Sequence, residues 1–479
     1  MAIPSSRVPL LDETDLEEAS EQMLNRKSQT SPLSSRIWGT FLRVLSLILP
    51  SWLRFLDQEN ILVRQRKMRP TAYLDGIRGL VSLLVFLRHF ALPWQVHLDY
   101  GYGHQNAYHD ILRLPFLRLL FSGPLVPLFF VVSGYVLSAK TLKLGRQSAW
   151  EQLFLSLASS TFRRAFRLFL PPLFSTIVVM LLAYSGCFSF DYDIMPGREP
   201  VHPVALESLG LQMVQWLKFS FGELTNPWSW SRRNMLYGPH LWTIPVSFQG
   251  SLVVFLTCLG LARTKTYLRS GFLVIYILLT EMHGRWDIAP FIGGVLLCEL
   301  DLSAASTTTD VSMSPIWSWR ARMFNIALLI LGLYVGSFPR FNGHGNSCVP
   351  GYQLFCDITA DYRYWHGISA LVVLLALSRE PGLRFPLETS LVQYLGKISF
   401  SLYIIHEPFI HIVGFRTVPL FWMITGEDVA WRYQAGFVLG LFCSAFMLLW
   451  IADIFKTLIE DRCANLAAKI ESVCFENSE

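Results

Sequence analysis

The sequence predicts an all-α, polytopic integral membrane bundle of about ten transmembrane helices with both termini in the cytosol. Three observations carry that prediction. Hydrophobic residues make up 52% of the 479-residue chain and charged residues only 16%, with a mean hydropathy of +0.39, a balance outside that of ordinary soluble domains. Apolar stretches long enough, or nearly long enough, to cross a bilayer start near residues 74, 117, 168, 241, 267, 287, 323, 366, 394 and 435. Basic residues concentrate in alternate loops.

Residues 1–36 are polar and Ser-rich, with no apolar run behind a basic start, and are expected to form a disordered cytosolic tail. The next segment, 37–70, holds IWGTFLRVLSLILPSWLRFL, interrupted by Arg43, Pro50 and Arg54 and followed by Arg64, Arg66, Lys67 and Arg69. It reads as an interfacial helix with a basic flank, a short extra span being the alternative. The bundle occupies 71–460, and 461–479 form a cytosolic C-terminal tail.

The first span, LDGIRGLVSLLVFLRHFAL (74–92), carries two ionisable groups, Arg78 and His89, in an apolar run. Intramembrane charges are costly, so by default they mark function. Eleven positions along a helix leave these side chains about 20° apart in azimuth and about 16 Å apart along the axis, on one stripe. The bland alternative is a snorkelling arginine and a satisfied interior histidine. The stretch 287–300 is short and contains Gly293 and Gly294, which leaves a re-entrant segment open beside a full span.

With the N-terminus inside, the loops after spans 2, 4, 6 and 8 face the cytosol. They hold Lys140, Lys143, Arg146, Arg163, Arg164, Arg167, Arg263, Lys265, Arg269, Arg320, Arg322, Arg379, Arg384 and Lys397, and the opposite loops are longer but less basic. The net charge of +5 has the same explanation and calls for no nucleic acid partner. Arg163, Arg164 and Arg167 stand at the cytosolic mouth of the third span, ahead of Pro171 and Pro172. They form either an anion cradle suited to phosphates or an ordinary positive flank touching lipid headgroups.

A third set lies towards the opposite face: His240, His366, His406 with Glu407, and His89 itself. Singly these are interface anchors; together they outline a buried polar chamber across the membrane from the arginines. The eight cysteines show neither a disulfide framework nor metal-ligand spacing, and no metal is expected. Cys348 and Cys356 share an outer loop in which a local disulfide suits an oxidising lumen.

Five motifs in order resemble the membrane acyltransferase-3 family over about residues 72 to 460. They are Arg78 and His89 within YLDGIRGLVSLLVFLRHF, then FFVVSGYVLS (129–138) with Ser133 and Tyr135, then the arginine and proline element at 163–171. The last two are HLWT at 240–243, with His240 and Trp242, and YLGKISFSLYIIHEP at 394–408, with His406 and Glu407. The forms WTIPV and YLGKISFSLY look most like the fungal branch.

The resemblance implies transfer of an acyl group, often acetyl, from a cytosolic acyl-CoA co-substrate to a hydroxyl on a sugar, lipid or small natural product, with no permanently bound cofactor. It implies His89 as general base, Arg78 orienting the thioester or stabilising oxyanion charge, and Arg163, Arg164 and Arg167 on the CoA phosphates. The family's W-T-x-P-V usually continues into an acidic residue, whereas Val246 is followed by Ser247. Either Ser247 with a water, or Glu407, substitutes in a working enzyme, or this member has a binding role instead. A transporter is the rival class, but no repeat or pair of interrupted helices supports it. Outer loops 93–116, 186–239 and 339–364, rich in Tyr, Trp, His and Gly, are where acceptor choice is expected, with Trp228 and Trp230 among their aromatics. Oligomeric state is open, and a secretory-pathway membrane such as the endoplasmic reticulum is the default location.

Overall fold

The computed structural model describes residues 69–104, 110–197, 200–228, 235–307, 315–340 and 348–475. The 1–36 tail, the interfacial segment up to residue 68, and Trp230 lie outside the described residues.

Among the described residues the fold is helical, with no strand. In order come α1 (Ala72–Ala91), α2 (Leu125–Arg146), α3 (Trp150–Tyr184), the short α4 (Leu209–Phe219), α5 (Thr243–Gly260), α6 (Thr266–Met282) and α7 (Ala289–Thr307). There follow α8 (Pro315–Gly336), the short α9 (Gln353–Ile358), α10 (Tyr362–Arg379), α11 (Ser390–Phe409), α12 (Phe415–Thr425), α13 (Ala430–Phe455) and α14 (Asp461–Cys474). Five helical stretches are long and apolar enough to cross a membrane on length and composition: Leu125–Arg146, Trp150–Tyr184, Pro239–Gly260, Ser390–Thr425 and Ala430–Cys474. Helix α1 has 20 residues but carries Asp75, Arg78 and Arg88.

The second span starts later than the apolar pattern indicates. Residues Leu117–Leu120 form a 3-10 turn and the helix begins at Leu125. Phe116 takes a φ of 69° and Gly123 one of 147°, and Pro124 follows, so a single helix cannot run from 117 into α2. The stretch after 287 is a continuous helix, α7. Its glycine has a packing reason: a Cβ on Gly294 would meet the carbonyl of Val131 in α2, and one on Gly134 the carbonyl of Phe291. Small residues let two backbones touch.

The same device joins α1 to α11. A Cβ on Gly79 would strike the backbone nitrogen of Gly396, and Ser82 Oγ donates to the Ser399 carbonyl at 3.1 Å, a separation of 317 residues. Gln393 Nε2 donates to the Ala72 carbonyl at 2.9 Å. The two helices therefore run parallel and in register. Elsewhere, fully buried Glu299 of α7 binds Arg146 at 2.8 Å and Arg269 at 2.6 Å, tying α2 and α6 to it. Thr417 and Ser444 hydroxyls meet at 2.8 Å between α12 and α13.

A π-helical segment, Ile410–Gly414, separates α11 from α12 just after Pro408. The proline's missing N–H opens the hydrogen-bond ladder there. Cys348 and Cys356 are disulfide-bonded in the loop between α8 and α10, which lies at the His89 end of the bundle.

Candidate active site

The in-register contact of α1 and α11 sets His89 Nδ1 3.3 Å from His406 Nε2. Pairwise hydrogen bonds then assign the protons. His406 Nδ1 lies 2.7 Å from the Tyr403 carbonyl, and a carbonyl only accepts, so that nitrogen bears a hydrogen and His406 Nε2 is an acceptor. With both rings uncharged, His89 then donates through Nδ1. Its Nε2 is left with a lone pair.

His240 enters from the N-terminal end of α5. Its Nε2 faces the Ile404 carbonyl at 3.0 Å, its Nδ1 forms a very short contact with Glu407 Oε2, and its backbone N–H donates to the same oxygen at 2.9 Å. That oxygen is also 4.0 Å from His89 Nδ1. Tyr403 braces the set: its hydroxyl donates to the His240 carbonyl at 2.6 Å and meets Thr243 Oγ1 at 2.7 Å. His89, His406 and Glu407 each offer a ligand atom, all within 4.8 Å of one another, a spacing that a metal ion also accepts. Those atoms are engaged with one another and with His240.

A cavity of about 260 Å³ opens onto this cluster, with His89, His240 and Tyr403 on its floor and Trp242 and Trp286 on a wall. The His89 side chain is 31% exposed, so it is reachable from the cavity. The two tryptophan rings lie 5.9 Å apart. His366 also lines the cavity, but its Nε2 is taken by the Phe338 carbonyl at 3.0 Å and it stands apart from Glu407.

The arginines gather towards the other end of α1. Arg164 donates through Nε to Ser251 Oγ at 2.8 Å, and the charges of Arg167 and Arg78 act directly on it. Arg78 also lies 3.7 Å from Asp75. Arg163 is turned elsewhere, because neighbours in a helix diverge by about 100°; it pairs with Glu471 of α14 at 3.1 Å. Arg78 and His89 are separated by roughly 16 Å of helix and do not meet. Ser247 sits two turns along α5 from His240, and its carbonyl accepts from Ser251 Oγ at 2.6 Å. It is thereby linked to Arg164 and not to the histidines. Tyr135 donates to Asp301 at 3.0 Å, and Ser133 is half-buried on the same helix.

Sequence reasoning missed Tyr403, Trp286 and three arginines of the cavity wall, Arg88, Arg340 and Arg363. Tyr403 falls inside the closing motif. The arginines come from separate segments and share no spacing that would have flagged them.

The family model for an acyltransferase domain, Acyl_transf_3, matches residues 71–456. The chain is 29% identical to an O-acetyltransferase, PaAT-1, of Phomopsis amygdali, covering 81% of this chain and 82% of that protein. It is 27% identical to the acyltransferase clz18 of Cochliobolus lunatus, over 81% of this chain and 93% of the relative. The acyltransferase R4 of Phoma sp. is 24% identical over 84% and 97%. No solved structure matches.

Proposed function

The chain belongs to the acyltransferase-3 family, and from that membership we propose that it is a membrane-bound O-acyltransferase taking an acetyl group from acetyl-CoA to a hydroxyl on a small natural product or sugar. The observation that carries this reading is the lone pair left on His89 Nε2, which lines the cavity, on the helix whose other end meets the Arg164 and Arg167 group through Arg78.

In the proposed step, His89 Nε2 takes the proton of the acceptor hydroxyl as its oxygen attacks the thioester carbonyl. The tetrahedral intermediate collapses with loss of the CoA sulfur, which takes the proton from His89, so ester and free CoA form and the enzyme is regenerated. The Glu407 carboxylate, 4.0 Å from the ring, stabilises the positive charge His89 holds in between. Arg164 and Arg167, with Arg78, hold the CoA phosphates, and the roughly 16 Å between Arg78 and His89 is spanned by the extended thiol arm. Arg78 acts here on the phosphates and not at the thioester. Glu407 supplies the carboxylate that Ser247 lacks, which favours a working enzyme over an impaired one.

Ten helices of 17 residues or more among the described residues support a ten-span bundle. We place the arginine pole and both termini in the cytosol and the histidine pole in the lumen of the endoplasmic reticulum. Equilibrium binding of acetyl-CoA to the protein in lipid nanodiscs tests the reading. Saturable binding that weakens at least tenfold in Arg164→Ala/Arg167→Ala supports it; a folded wild-type protein that binds no acetyl-CoA overturns it.

A further inference from the structure

The lining of the cavity is cationic beside its histidines. Arg88, Arg340 and Arg363 line it, and no Asp or Glu side chain is among the residues lining the cavity. Each of these arginines has a carboxylate partner that is not among the lining residues. Asp99 serves two guanidinium groups at once, Arg88 at 2.7 Å and Arg340 at 4.0 Å. Asp361 is taken by Arg363 at 2.9 Å.

A fourth guanidinium sharpens the imbalance. Arg118 is 2% exposed, and its Nε, Nη1 and Nη2 make no hydrogen bond among the described residues. Burial pushes it down to about 10, and its electrostatic neighbours are Tyr352, Asp99, Arg88 and Arg113. Arg113 has its own partner in Asp110 at 2.9 Å. Arg118 and Arg88 thus both draw on Asp99, whose carboxylate is already shared with Arg340. A buried guanidinium short of counter-charge is costly, and an anionic ligand relieves that cost.

The rest of the wall describes the body of such a ligand. Arg363 lies over the Trp286 ring at 5.6 Å and Arg340 over Tyr362 at 5.8 Å, which fixes both guanidinium planes beside flat apolar surfaces. At about 260 Å³ the cavity takes a single ring or the end of a larger molecule. We propose that the acyl acceptor bears a carboxylate near its reacting hydroxyl, on a flat, compact scaffold, and that Arg88, Arg340 and Arg363 read the carboxylate while the hydroxyl reaches His89. This rests on the acyltransferase reading above.

The test is equilibrium binding, in nanodiscs, of 4-(hydroxymethyl)benzoate against its methyl ester, which keeps ring and hydroxyl but removes the charge. The carboxylate is expected to bind saturably and at least about tenfold more tightly, each tenfold being about 1.4 kcal/mol. Arg340→Gln/Arg363→Gln, at two half-exposed positions chosen to spare the fold, is expected to bring the pair to parity. Equal or tighter binding of the ester, no saturable binding of the carboxylate, or selectivity unchanged in the double variant overturns the proposal. Acetyl-CoA binding on the same samples separates the two readings. If acetyl-CoA binds without carboxylate selectivity, only the acidic acceptor falls; if selectivity holds without acetyl-CoA binding, the transferase reading falls and the arginines are left as a carboxylate-binding site without an acceptor role.

Discussion

Glu407 holds His240 twice through one oxygen, accepting the backbone N–H at 2.9 Å and contacting the ring Nδ1. The two residues come from α11 and the turn that opens α5, and that double contact fixes the entry of α5 against His89 and His406. A carboxylate so constrained is aimed, and its second duty is electrostatic.

Glu407→Gln keeps the size and a hydrogen-bond acceptor but removes the charge beside His89. Transfer is expected to fall about 100-fold in kcat, within the usual range for loss of an electrostatic or acid–base partner, while the KM for acetyl-CoA moves little. Steady-state kinetics with a fixed acceptor reads the split. A KM effect with kcat intact would place Glu407 in donor binding instead.

Among the arginines, Arg163 is already engaged by Glu471 and Arg164 only by a hydroxyl. Acetyl-CoA affinity should therefore drop about tenfold or more in Arg164→Ala, the scale of one charge-assisted hydrogen bond, but less than about twofold in Arg163→Ala. Equal losses measured by calorimetry would mean that Arg163 turns to the ligand on binding.

Ser247→Glu puts a carboxylate one turn from Ser251, whose hydroxyl holds Arg164. The new charge should compete for Arg164 and raise the KM for acetyl-CoA, leaving kcat within about threefold because Glu407 already serves the histidines. A rise in kcat would show that position 247 acts on His89 after all.

Gly79→Val forces a side chain into the backbone of Gly396. Overpacking of this kind costs about 1–3 kcal/mol. Thermal unfolding in detergent should shift down, and activity should fall with it, since separating α1 from α11 also separates His89 from His406. Ala at the exposed helical Gly271, where nothing lies within 4 Å, is the control and should leave activity unchanged without lowering the unfolding temperature.

Much of this was legible in the sequence, because apolar run length and the polarity of ionisable groups are local properties. The positions of α1, α5, α6, α10, α11 and α13 follow from them, as does the separation of arginines from histidines along the first helix. The start of α2 was misplaced, because the apolar residues on both sides of Ser122, Gly123 and Pro124 outweighed the break that these residues signal. Which arginine of the 163–167 group faces Arg78 depended on Glu471, some 300 residues away in sequence. The proton assignment on His89 was equally out of reach, since it needs the Tyr403 carbonyl placed beside His406. The cationic cavity wall is assembled from α1, α10 and the segment after α8, and no local pattern announces such an assembly.

The register between α1 and α11 also has a consequence for how the protein is made. Gly79 with Gly396, Ser82 with Ser399 and His89 with His406 are all partners 317 residues apart, so α1, made early, waits for α11, made late. Until α11 arrives, His89 has no acceptor for its Nδ1 proton, and its proton position is unset. A chain interrupted anywhere before residue 390 carries Arg78, Arg164 and Arg167 but lacks His406 and Glu407. On the mechanism we propose, donor binding can then precede activity, but activity cannot precede completion of the bundle.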